Sequence, residues 1–503
     1  MTPTWINQLG NWNPQLLREL RGRLKPRSVI VAIAISLVVQ VLLLLAFGQG
    51  FLATGYELSS AGLNLFRTLT WLIPPVLFAI GSYSLIGDVA QEERRGTLNF
   101  LRFSPRTSQN ILLGKILGVP LLPYLSVLLF VPLHVVSAMT AEVVPLGFIV
   151  SFYLMLAAGC AFLFSVALLT ALLSGARGFL AAATAPGFSA ITLFSFAPLF
   201  MTWSFVTVWS QFKVMGSQQD ATIDLQWYYV PIATNVWFSH LFVLLNIGIM
   251  TFAIWQVLRR RFHNPTATIL SKRQSYAIMA YLEVFFLGFF LQTPNRVANN
   301  VSPVESLFPD SLLNLFFLYG INFFCVLVLI VALTPQRQAL LDWLRYDRRG
   351  HASLQDLIWA EKSPAPVAIG INLIIINALL VPWILLWPTS GPKLIVCLLL
   401  IPFMLSLLIY AVITQQILAS KIRNPTTWAA GALATLLFLP PITLGLLSLS
   451  PDKVPALWVF FGFPWLLGST LPALSNLVTA IVMQGIILGV LSWQLNQQLK
   501  KLA

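Results

Sequence analysis

Ser28-Val-Ile-Val-Ala-Ile-Ala-Ile-Ser-Leu-Val-Val-Gln-Val-Leu-Leu-Leu-Leu45 contains no charged residue. Such a run approaches the ~20 residues an α-helix needs to cross the hydrocarbon core of a bilayer. Ile371–Trp387 and Leu394–Val412 read the same way. The chain of 503 residues is 58% apolar and 9% charged, against roughly 45–50% and about 25% for soluble domains. These values exclude a soluble fold and predict an all-α polytopic membrane protein.

Apolar runs between charged or Pro/Gly breaks predict twelve spans, near 28–49, 66–87, 113–138, 146–173, 178–199, 230–258, 276–292, 311–333, 366–387, 393–416, 427–449 and 473–495. Phe200–Trp209 and Leu457–Leu467 are too short to cross and read as re-entrant or interfacial. Pro120, Pro123 and Pro132 should distort the third span. Small residues Gly175, Gly178, Ala182 and Gly187 suit the fifth to close helix approach.

The formal charge is +14, from 30 Lys and Arg against 16 Asp and Glu. In a membrane protein that excess reads as topology rather than nucleic-acid binding, because Lys and Arg collect on the cytoplasmic side. With the N-terminus inside, the outer loops hold only Arg67, Lys213, Arg296, Lys393 and Lys453, leaving 25 of the 30 basic residues in the cytoplasm. Both termini are therefore expected to be cytoplasmic. The first 27 residues have no apolar core or small-residue cleavage site, so no removable signal peptide is expected. Cys160, Cys325 and Cys397 lie in apolar runs at unrelated spacings, which suggests neither disulfides nor a metal site.

The two halves, 1–262 and 263–503, repeat several features in the same order. Asn13-Pro14 and Asn264-Pro265 each fit an N-cap followed by Pro at the first helical position. Asp88–Pro105 and Asp347–Pro364 join the second and third spans of each half, and both contain Arg-Arg-Gly and then Ser-Pro. Trp255-Gln256 and Trp493-Gln494 close the halves. Six spans per half keep both copies in one orientation, related by an axis along the membrane normal. A single-chain pseudo-dimer follows, with a short re-entrant hairpin before the last span of each half.

The most informative link is Asp88-Val-Ala-Gln-Glu92-Glu93-Arg94-Arg95-Gly96-Thr97-Leu98-Asn-Phe-Leu101-Arg-Phe-Ser-Pro105. A charged cluster leads through Gly96 into a short helix with Leu98 and Leu101 on one face, and Pro105 ends it. A charged rim around two leucines suits docking into a groove on a soluble partner.

With Gly114-Lys115 following, this pattern resembles the signature of ABC-2 type transporter permeases. The basic N-terminal segment with Leu16, Leu17, Leu20 and Leu24 is similar to their interfacial elbow helix. The motif resemblance covers residues 13–258. Residues 264–503 share the layout only, since Arg348-Arg349-Gly350 continues as His-Ala-Ser. The resemblance implies the membrane-spanning subunit of an ATP-driven exporter in a bacterial cytoplasmic membrane. Glu92, Glu93, Arg94, Arg95, Gly96, Thr97, Leu98 and Leu101 would form a first coupling helix that binds an ABC ATPase. Asp347, Arg348, Arg349, Gly350, Leu354 and Leu357 would contribute to a second.

The chain carries no Walker A motif, since Gln109 and Ile116 replace the required Gly and hydroxyl around Gly114-Lys115. It is therefore expected not to be an enzyme and to bind no cofactor itself, with ATP and Mg on the partner ATPase. Glu283 is the carboxylate inside a span, a costly position that marks a polar candidate for a substrate or proton role, though without a basic residue in a neighbouring span it reads first as a carboxyl hydrogen-bonded in the helix bundle. His134 and His240 read as packing residues. Two other classes compete: an ion-coupled secondary transporter, which also has twelve spans in parallel halves, and a membrane-embedded enzyme using Asp220 and Asp224. That pair reads more simply as a solvated loop.

Overall fold

The structure, a computed structural model, describes residues 4–51, 56–142, 144–174, 226–228, 230–232, 236–265, 267–290, 310–348, 353–386, 393–463 and 472–502. Ten helices among these are long and apolar enough to cross a membrane, and the protein is an all-α polytopic membrane protein. The predicted fifth span and first hairpin lie outside the described residues. The predicted seventh span forms a helix, but it carries Lys272, Arg273 and Glu283 and is not among the ten. The chain divides into two compact units, residues 1–225 with 232–266, and residues 226–231 with 267–503.

In the first unit, α1 (Thr4–Trp12) and α2 (Pro14–Arg23) precede the membrane helix α3 (Pro26–Phe51). Asn13 caps α2 with Pro14 at its first position, as the sequence predicts, and its side chain accepts from Leu16 N at 3.0 Å. The long helix α4 (Tyr56–Arg94) has 39 residues, ~58 Å at 1.5 Å per residue, and so extends well beyond a ~30 Å hydrocarbon core. Asp88, Glu92, Glu93 and Arg94 therefore belong to a helical extension and not to a loop. Beyond it come α5 (Thr97–Arg102), α6 (Ser108–Gly118), α7 (Leu121–Thr140), α8 (Leu146–Ser174) and α9 (Val236–His263).

The predicted third span is two helices. Pro120 stands between α6 and α7, and Pro123 falls in the first turn of α7, where a missing N–H costs nothing. The Tyr124 hydroxyl donates to the Ile116 carbonyl at 3.1 Å and satisfies part of the freed end of α6.

The second unit contains α10 (Lys272–Phe290), α11 (Asp310–Leu333), α12 (Arg337–Arg348), α13 (Leu354–Trp359), α14 (Ala365–Leu386), α15 (Lys393–Ala419), α16 (Pro425–Leu446), α17 (Pro455–Phe460) and α18 (Leu474–Leu502). A two-residue antiparallel ladder, β1 (Gln226–Trp227) with β2 (Val230–Pro231), packs on α10, where Trp227 Nε1 donates to Phe285 O at 3.1 Å. Asn264-Pro265 does not cap a helix: it follows α9, and α10 starts only at Lys272, capped by Ser271 and Gln274. The Ser271–Gln274 exchange satisfies two backbone and side-chain pairs at once, which favours that start over the Asn-Pro site. The second predicted hairpin is in part the short helix α17, whose Trp458 Nε1 donates to Leu449 O at 2.9 Å. Residues 464–467 of it lie outside the described residues.

α3 and α16 expose most of their apolar length, including Val31, Ile35 and Leu42 on α3 and Phe438, Leu439 and Ile442 on α16. In water such faces would aggregate; against lipid they cost nothing.

α2 lies against α6 through Gly114 and Gly118, one turn apart. A Cβ on Gly118 would stand 2.5 Å from the Glu19 Cβ, whereas one on Gly87 would meet nothing within 4 Å. Gly118→Ala is expected to destabilise the protein by about 1–3 kcal/mol through overpacking. Gly87→Ala should be neutral or stabilising, by up to ~1 kcal/mol. The thermal unfolding midpoints of the two variants in one detergent check this ordering.

Candidate partner-docking site

Gly96 joins α4 to α5 with φ +72, the left-handed conformation that glycine adopts without strain. Its N–H donates to Glu93 O at 3.1 Å, and Thr97 Oγ1 donates to Glu92 O at 3.2 Å, which closes the turn. α5 then turns its leucines inward. Leu98 is 1% exposed and both Leu98 and Leu101 join the core of the unit. This corrects the expectation that Leu98 and Leu101 face a partner. The outward face instead carries Phe100, 78% exposed, and Phe103, 89% exposed, with Arg94, Arg95 and Arg106 exposed around them. Six residues cannot supply an apolar stripe to both sides without spending aromatics on the second.

Arg102 holds α5 in place. Its Nη1 donates to Asn99 Oδ1 at 2.8 Å, and its guanidinium lies 5.9 Å from the Phe262 ring centroid on α9. Burial pushes the Glu93 carboxyl above its ordinary value, opposed by the positive charges of Arg102 and Arg261.

Behind this face sits a cluster that the sequence reading passed over. Lys115 of α6 is almost wholly buried, with Nζ 2.7 Å from Asp88 Oδ2, 2.8 Å from Glu92 Oε2 and 3.7 Å from Glu19 Oε1. Arg23 Nη2 reaches Asp88 Oδ1 at 2.6 Å, and Arg18 pairs with Glu19 and Glu92. The three carboxylates lie close enough to hold a metal ion. The Lys115 ammonium sits among them, however, and with Arg18 and Arg23 it balances their charge. The cluster is a clamp that ties α2, α4 and α6 together. Its spacing was visible, since Asp88 and Glu92 are one turn apart as are Gly114 and Gly118, but a spacing does not name the helix opposite.

In the second unit, Asp347 and Arg348 end the amphipathic helix α12 rather than opening a loop, and Arg349 and Gly350 lie outside the described residues. α13 begins at Leu354 with a capping box in which Ser353 and Asp356 each bond the other's backbone. Those bonds hold the Asp356 carboxyl below its ordinary value. Leu357 packs against a buried cluster contributed by α12, α15 and α18.

The buried Lys272 fastens α13 to α10: its Nζ donates to Leu357 O at 2.7 Å, to Ser363 Oγ, and to Pro364 O at 3.5 Å. Tyr276 OH donates to Ile358 O at 2.9 Å, and Arg273 lies 5.4 Å from the Trp359 ring centroid. Each unit therefore carries one short helix, α5 in the first and α13 in the second, and in the second a buried lysine fastens it.

Glu283 is 0% exposed. His134 bonds Thr70 and Tyr153 at 3.0 Å each, and His240 bonds Ser151 at 2.8 Å, so both are packing residues with partners. All three cysteines are free. Asp220 and Asp224 lie outside the described residues.

Lys115→Met leaves three gathered carboxylates without their buried cation and is expected to cost about 3–5 kcal/mol. Adding Glu92→Gln should recover part of that loss in the same denaturation assay. Burial lowers the Lys272 ammonium from 10.5 to about 8. Between those values the unfolded chain holds a proton that the folded chain has released, so this group makes stability rise with pH across that window. Lys272→Met should flatten the rise when unfolding is followed from pH 8 to 10.5.

No protein-family model, curated protein or solved structure matches the chain.

Proposed function

We propose that the chain is the membrane-spanning permease subunit of an ATP-driven ABC-2 type exporter. The ATPases are separate polypeptides that dock on α5 and, more weakly, on α13. In this reading both termini and both short helices face the cytoplasm, and twelve spans form two parallel six-span halves of a single-chain pseudo-dimer in a bacterial cytoplasmic membrane. ATP and Mg act on the partner, and the permease has no catalytic residues of its own.

The observation that carries the reading is the exposed pair Phe100 and Phe103 on a helix anchored to the core by its other face. A rigid, exposed aromatic anchor ringed by arginines suits a pocket on a soluble protein. Its firm seating through Leu98, Leu101 and Arg102 lets a push on α5 reach α4 and α6. The excess of basic residues on that side also favours this orientation.

The test is purification of the tagged protein from its native membrane in mild detergent, with co-purifying proteins identified by mass spectrometry. A P-loop ATPase is expected, and Phe100→Asp with Phe103→Asp should weaken its binding about tenfold or more, ~1.4 kcal/mol, while the permease stays folded. Leu98→Ala would mix docking with folding and is the poorer variant. Repeated absence of any ATPase from monodisperse protein would overturn the reading.

A further inference from the structure

The buried face of α10 repeats every three or four residues through Lys272, Ser275, Tyr276, Met279, Glu283 and Leu287. Its polar members differ in how they are satisfied. Lys272 has its three acceptors near the end of the helix, and Ser275 accepts from Asn372 Nδ2 at 3.1 Å. Glu283, eleven residues further along, has neither carboxyl oxygen within ordinary hydrogen-bond reach of a donor.

The groups facing Glu283 can be named from each packed element. From α11 come the Asn322 amide, whose Nδ2 has no ordinary hydrogen bond of its own, and Tyr319 and Cys325. From the turn after β1 comes Tyr228. The Tyr319 and Tyr228 hydroxyls already donate to Val396 O at 3.4 Å and Val284 O at 2.9 Å. α14 and β1 bring no titratable side chain, and α13, which packs at the Lys272 end of α10, brings Asp356, held in its own capping box with Ser353. Among the described residues no cation faces the carboxyl. Burial away from water with no facing cation disfavours a bare carboxylate there, and the Asn322 amide faces the carboxyl without an ordinary hydrogen bond to it.

We propose that Glu283, facing Asn322 across the α10–α11 contact, is a proton-binding site in the membrane interior. It is loaded while the two helices are packed and exchanges its proton only when they part. The site does not rest on the exporter reading and stands whether ATP or an ion gradient drives the protein. It gives the second unit a titratable centre that changes charge only with a change in helix packing.

The test is infrared spectroscopy of the full chain in lipid vesicles. At pH 7, where solvated carboxyls are ionised, wild type should show the C=O stretching band of a protonated carboxyl. The band should be absent from Glu283→Gln and displaced in Glu283→Asp, which identifies it without removing the acid. Asn322→Leu should also displace it, and on transfer to D2O its deuterium shift should lag behind that of exposed groups. Identical wild-type and Glu283→Gln spectra at pH 7, loss of the band in Glu93→Gln instead, or immediate deuteration would each overturn the proposal. If Glu283→Gln does not fold, the Glu283→Asp displacement decides: an unmoved band counts against it.

Discussion

Lipid offers no hydrogen bonds, so every polar group carried into the membrane interior must find a partner within the protein. That constraint makes the chain helical, and it also governs the side chains. Thr251 and Thr414 bond carbonyls four residues back on their own helices. His134 is held between Thr70 and Tyr153, and Gln484 bonds both Ser406 and the Phe460 carbonyl. Glu283 departs from the pattern, as do the buried hydroxyls of Ser36 and Ser82, and differs from those in that its side chain can carry a charge.

Outside the apolar spans, two buried lysines solve the same problem in different ways. Lys115 is neutralised by carboxylates from α2 and α4, so its burial is set by charge balance. Lys272 meets carbonyls and a hydroxyl, and without an opposing charge burial lowers its proton affinity. Both fasten short segments to long helices, and both would leave unpaired groups if removed. The two units nonetheless differ. Helices α1 and α2 stand before the first membrane helix of one unit, while the other inserts α12 between α11 and α13.

The seating of α5 joins fold to proposed function. Gly96 reverses the chain, the leucines lock one face into the core, and the phenylalanines are left outside. One face of α5 is thereby fixed in the core while the other is left exposed. The leucine spacing marked the right segment, but the two phenylalanines between and beyond them are equally apolar, so composition did not say which pair would be buried.

The sequence by itself determined the membrane class, most helix positions, the cap at Asn13 and a distortion of the third span at its prolines. Each depends on local chemistry: apolar length, a side chain within three residues, or a missing N–H. The long extension of α4, the absence of a cap at Asn264 and the separate helix α12 were not legible, because polar stretches beside a span suit helix and loop alike until neighbours choose. Only the tertiary structure decided which face of α5 points inward, that Lys115 gathers Glu19, Asp88 and Glu92, and that Glu283 faces Asn322. Those facts depend on which helices lie side by side, and one-dimensional spacing fixes a residue's face on its own helix without naming the face opposite.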